Sequence, residues 1–165
     1  MNSRRKAREA ALQALYQCDT LEDWSAQTVE LYFSLYNPET FKAPEGVARE
    51  NVEFCRRVIA GVIEHLEIID RQITLASTHW SIARMSRVDR NIIRCATYEF
   101  IYASDIPVSV TINEAIEVSK RYGTADSQLF VNGVLDKIAS NLKAGSALVS
   151  KVASLERDKK IAVND

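Results

Sequence analysis

The stretch SRRKAREAALQALYQ holds the residues of this chain best suited to chemistry. Arg4, Arg5, Lys6 and Arg8 stand within five residues, against one nearby acid, Glu9. Guanidinium and ammonium groups neutralise phosphates, arginine in a bidentate fork. Positive charge at a helix N-terminus opposes the macrodipole, so a face that was merely solvated would sooner carry acids here. Tyr16 follows Arg8 by eight residues, on roughly the same helix face and about 12 Å along the axis. Cations for phosphates and a ring for base stacking are the tools of single-stranded nucleic-acid binding. The net charge of −1 gives no global pull, so binding must come from this patch. Four phosphate contacts would give a salt slope of about three, at about 0.7 per phosphate.

Other chemistry is not signalled. The sequence holds no glycine-rich phosphate loop, HExxH, CxxC or Gly-x-Ser-x-Gly. His65 and His79 have no recognisable partner arrangement and read as packing or surface residues. Glu99 shares a face with Ile92, Ala96 and Ala103, where it is expected to accept hydrogen bonds from backbone amides at a neighbouring helix start. Cys18, Cys55 and Cys95 are far apart and odd in number, which predicts reduced, buried thiols in a cytoplasmic protein. Glu9, Gln13 and Gln17 interrupt any signal-peptide apolar region, and no apolar run approaches a membrane span. No catalytic residue, metal site, cofactor or membrane contact is expected.

The elements that must carry the basic patch are helices. Five Gly and three Pro are sparse punctuation in 165 residues. Residues 3–19 form an amphipathic helix whose inner face, Ala7, Ala10, Ala11 and Ala14, lets another helix approach closely. Residues 24–36 make an aromatic helix, and Pro38 and Pro44 bracket a polar loop at 37–45. A stripe from Val52 to Ile73 is too long for one globular helix, which predicts a break near Glu64–Glu67. HWSIARMS is a connector, and a helix runs from Ser86 to about Ala103. Thr111 and Glu114 have capping-box spacing for a helix over 110–122, with a start one turn earlier as the alternative, and Gly123 is a left-handed stop. Thr124 or Asp126 caps a last helix over about 127–142. The expected architecture is all-α, six or seven helices over 1–142, in subdomains of about 1–76 and 77–142, followed by a weakly helical tail at 143–165.

One dipeptide conflicts with this pattern. Asn132-Gly133 is a hairpin signal, yet Phe130, Val131, Val134, Leu135 and Ile138 follow helical spacing. With no strand available for pairing, the dipeptide must lie within the helix, and Gly133 is expected to admit a closely packed neighbour.

In order, RRKAREAALQALYQ, RMSRVDRNIIRCATYEFIY and DIPVSVTINEAIEVSKRYGTADSQLFVNGVLDKIA resemble the NusB family of transcription antitermination factors. The resemblance implies two packed three-helix bundles and no enzymatic activity. It implies binding of boxA, a single-stranded RNA signal of ribosomal RNA leader transcripts, together with the ribosomal protein NusE, and action on transcribing RNA polymerase. It assigns RNA contact to Arg4, Arg5, Lys6, Arg8 and Tyr16, and to a second segment with Asp126, Gln128 and Phe130. Asp89 and Arg94 match positions that face NusE. Gln128 and Leu129 depart from the more polar or basic residues of the family. A helical protein–protein adaptor and a detached NusB-like domain of RNA methyltransferase type are the competing readings; 165 residues leave no room for a methyl-donor-binding domain. A homodimer through the aromatic helix is a further expectation.

Overall fold

The computed structural model describes residues 3–36 and 45–162, so the expected loop at 37–45 lies almost wholly outside the described residues. Within them stand seven α-helices and no strand: α1 (Ser3–Leu21), α2 (Ala26–Leu35), α3 (Glu45–Glu64), α4 (Leu66–Ala76), α5 (Arg87–Tyr102), α6 (Val108–Tyr122) and α7 (Ser127–Ala162). A 3-10 turn at Ile82–Arg84 interrupts the connector before α5.

Local chemistry explains most boundaries. Ser25 accepts from the Thr28 amide at the start of α2, and Ser86 accepts from the Asp89 amide at the start of α5. The long stripe breaks at His65, which separates α3 from α4. His65 lies face to face with Tyr102, centroids 4.1 Å apart, so it is a packing residue. Ala7, Ala10, Ala11 and Ala14 are fully buried, and α1 packs against α3 and α5. The core continues through Val58, Ile59, Ile69, Ile93, Val131 and Leu135, tying α3, α4, α5 and α7 together.

Four expectations need correction. Helix α6 begins at Val108 behind Pro107, so Thr111 and Glu114 form no capping box; their side chains turn to Glu99 and Arg5 instead. Gly123 has φ −91° and is not left-handed. What excludes a side chain there is Ser127, whose Cβ lies 2.6 Å from where a Cβ on residue 123 would stand. Ser127 is held in place because its hydroxyl accepts from the Thr124 amide at 2.9 Å. Helix α7 runs on to Ala162 instead of ending near residue 142, with residues 143–151 exposed. Finally, Gly133 lies inside α7, but a Cβ added there would meet nothing within 4 Å. Gly61 is the glycine in close packing: α3 lies against the ring of Tyr98 on α5.

The three cysteines are free and buried. Burial pushes the Cys55 thiol up to about 12 and raises those of Cys18 and Cys95 as well. The reactive thiolate is therefore scarce at pH 8. A thiol reagent at that pH should label the folded protein far more slowly than the denatured one; equal rates would contradict this burial.

Candidate nucleic-acid interface

Successive helical residues step about 100° around the axis, so Arg4, Arg5, Lys6 and Arg8 cannot share one face. The structure divides them among neighbours, with Arg4 and Arg8, one turn apart, sharing the Phe54 ring, each guanidinium carbon 5.2 Å from its centroid. Arg4 is exposed and leans over the Phe54 ring of α3, 5.2 Å from its centroid. Arg5 is bidentate to Glu114 on α6, at 2.8 and 3.0 Å, and lies 3.7 Å from Glu117. Its hydrogen bond to Glu114 holds the guanidinium pKa above its usual value.

Arg8 points into the core. Its side chain is 7% exposed and that of Glu99 is 1% exposed. The two are joined in a bidentate pair at 2.7 and 3.0 Å. Thr111 donates its hydroxyl to Glu99 at 2.8 Å. Glu99 is thus a buried carboxylate at a neighbouring helix start, as expected, but it is satisfied by a guanidinium and a hydroxyl. Of the four basic residues, two are committed to acids, Arg4 lies against α3, and Lys6 faces a groove.

That groove has a volume of about 1040 Å³ and runs along α1 between α2 and α6. Lys6, Glu9 and Arg121 line one end; Tyr16 stands along its length; Leu21 and Val88 close the other. From Lys6 to Leu21 the axis covers about 22 Å. The floor is built from polar aromatics. Gln13 donates to the Tyr122 hydroxyl at 3.0 Å and accepts from the Tyr32 hydroxyl at 2.9 Å, and Tyr32 stacks on Tyr36. Tyr16 is 42% exposed, which leaves its ring available to a ligand.

Asp126, Gln128 and Phe130 do not line this groove. They lie at and just before the start of α7, a few residues beyond the groove residue Tyr122. Asp126 is exposed, Gln128 half-buried, and Phe130 packs against the core edge.

The two positions that the resemblance assigns to a partner, Asp89 and Arg94, differ sharply. Arg94 is buried, bidentate to Asp70 at 2.8 and 2.9 Å, and 3.4 Å from Asp19. Its guanidinium lies 5.3 Å from the Trp24 ring centroid. Asp19 also takes Arg90 at 2.8 Å and Asn91 at 2.9 Å, so the network clamps α1, α4 and α5. Asp89, beside the groove residue Val88, has a buried Oδ1 with no hydrogen-bond partner. Such a lone pair is costly unless a donor arrives from elsewhere.

The sequence did not mark Arg121, Gln13, Tyr32 or Tyr122 as site residues. Lys120-Arg121 in a last helical turn looks like an ordinary complement to the macrodipole. Among the described residues no helix is long and apolar enough to cross a membrane, and no group of three His, Cys, Asp or Glu could hold a metal.

Comparison with known proteins places the family and the fold. Residues 5–140 match the family model described as "NusB family". The "Transcription antitermination protein NusB" of Geobacter sulfurreducens is 47% identical over 142 residues, covering 86% of this chain and 97% of the relative. That of Desulfitobacterium hafniense is 41% identical, covering 85% and 90%. The structure of T. maritima NusB superposes with a TM-score of 0.69 at 40% identity, covering 83% of this chain and 90% of that one. A crystal structure of antitermination factors NusB and NusE with dsRNA shares the fold, with a TM-score of 0.70 at 24% identity, covering 86% and 98%. Family model, relatives and fold therefore agree over most of its length, and the chain belongs to the NusB family.

Proposed function

We propose that this chain is a transcription antitermination factor, a binding protein and not an enzyme. It binds boxA-type single-stranded RNA of ribosomal RNA leader transcripts together with NusE and acts in the cytoplasm on transcribing RNA polymerase. The observation that carries the reading is the groove along α1, with cations at one end and apolar residues beside Asp89 at the other. RNA is assigned to the Lys6 end, continuing towards Asp126, Gln128 and Phe130, with Tyr16 as a stacking surface. NusE is assigned to the Leu21–Val88 end, next to Asp89 at the start of α5. Adjacent sites on one groove let each ligand extend the surface offered to the other, so the pair binds better than either alone.

Arg5 and Arg8 are neutralised by acids, which leaves Arg4 and Lys6 as the outward phosphate contacts of the first helix. The share of the salt slope that the first helix supplies then falls from about three to about 1.4. A slope near three would return Arg5 and Arg8 to the RNA; a slope near zero would remove phosphate contact altogether. The decisive experiment measures binding to a boxA RNA and to a scrambled RNA, with and without NusE. Preference for boxA that strengthens with NusE supports the reading. Changing Arg4 and Lys6 together to alanine should abolish RNA binding with the helical fold intact, whereas the adaptor reading requires no change in partner binding and no RNA preference.

A homodimer is the second reading, favoured by Leu31, Leu35 and Tyr36 of the α2 region at 46, 65 and 57% exposure. Tyr36 lines the groove, so a dimer there would compete with NusE. Light scattering that gives a monomer at high concentration removes it.

A further inference from the structure

Arg121 ends α6 as its penultimate residue, on the rim of the groove beside Lys6. Its Nη1 donates to Glu9 Oε2 at 2.8 Å. The pair is lopsided, since the Arg121 side chain is 65% exposed and that of Glu9 only 8%. The anion sits inside and fixes the cation, while most of the guanidinium faces solvent. One carboxylate oxygen uses only part of a fork of five N–H donors. The guanidinium carbon also lies 5.4 Å from the Tyr122 ring centroid, which restricts it further.

Glu9 follows Lys6 by three residues on α1, so the two project from the same helix face. On the other side, Asp126 follows Arg121 by five residues, across the short α6–α7 turn. Arg121 thus shares the groove with half-buried Lys6 and precedes the start of α7 by six residues. Resting on the RNA-binding reading above, we propose that Arg121 is a phosphate-binding residue for single-stranded RNA, positioned by Glu9, and that it joins Lys6 to the start of α7 in one track. Glu9 has two opposed effects. It orders the guanidinium, which lowers the entropy lost when phosphate binds. Its buried charge also offsets that of Arg121 and holds the affinity of the isolated chain down.

The test is a double-mutant cycle on the full chain, titrated with a boxA-type single-stranded RNA and a scrambled RNA of equal length over a salt series. Arg121→Ala should weaken binding about fivefold at low salt and lower the salt slope by about 0.7. The factor should be the same for both RNAs, because a phosphate contact carries no sequence information. Glu9→Gln keeps an acceptor for Arg121 and removes the competing charge, so it should tighten RNA binding. That gain should vanish in the Arg121→Ala background. Equal affinity of Arg121→Ala and the natural chain overturns the assignment, as does a Glu9→Gln gain that persists without Arg121. If Glu9→Gln fails to fold by its thermal melt, the exposed Arg121→Ala comparison decides alone. A natural chain that binds no RNA at any salt overturns the RNA-binding reading itself and this assignment with it.

Discussion

Arg8→Ala should cost about 3–5 kcal/mol of folding stability, because it strands a carboxylate in the core. Glu99 has a side chain 1% exposed, and its remaining donor is the Thr111 hydroxyl. The cost comes from the orphaned anion more than from the lost attraction, since a buried ion pair roughly breaks even against an apolar replacement. Replacing the whole constellation, Arg8→Met with Glu99→Leu and Thr111→Val, should therefore recover most of the loss. Chemical denaturation measures both. A cost below about 1 kcal/mol for the single change would sink the structural role and return Arg8 to the nucleic-acid face. The same cycle separates folding from binding: the apolar triple variant should keep its RNA affinity, whereas a phosphate contact at Arg8 would be lost with it.

Gly61→Ala should destabilise the protein by about 2–3 kcal/mol, although alanine is the better helix former by about 1 kcal/mol. The added methyl would stand 2.5 Å from Cζ and 2.7 Å from Cδ2 of Tyr98, inside van der Waals contact. The ring cannot easily retreat. Tyr98 is buried and stacks on Tyr102 at 5.6 Å, and Tyr102 stacks in turn on His65. Moving Tyr98 would disturb the α3–α5 contact and the stack beside the α3–α4 break. Gly133→Ala should have the opposite sign, a gain of up to about 1 kcal/mol, because the added methyl meets nothing within 4 Å. Thermal melts of the two variants should shift in opposite directions, by about 2–4 °C per kcal/mol. A destabilised Gly133→Ala or a stabilised Gly61→Ala would refute these packing assignments.

The contrast between these glycines marks where sequence reading succeeds and where it stops. Helix existence was legible because apolar periodicity and caps are local. The start of α5 at Ser86 and the alanine face of α1 follow from residues within a turn or two, and the break near Glu64–Glu67 from the length of one apolar stripe. Which glycine touches a neighbour was not legible. Gly61 and Tyr98 are 37 residues apart, and nothing in the neighbourhood of either announces the other. Gly133 sits in the more conspicuous motif yet faces open space.

The candidate site divides the same way. A cluster of four basic residues beginning a helix was visible from composition and spacing, and so was the family resemblance that the family model and relatives bear out. The 100° step per residue already implied that Arg4, Arg5, Lys6 and Arg8 could not act as one face. Their partners were hidden: Glu99 and Glu114 lie 91 and 109 residues from Arg8 and Arg5. The same holds for Arg94, whose acids Asp19 and Asp70 come from two other helices.

By itself, then, the sequence determined an all-α chain of this family with a basic first helix and no catalytic or metal-binding motif, because those properties reside in local pattern and residue type. Only the tertiary structure decided which charges are spent inside the protein and which remain for a ligand. A charge is neutralised by whatever stands within a few ångströms of it, and that is set by the packing of helices far apart in the chain.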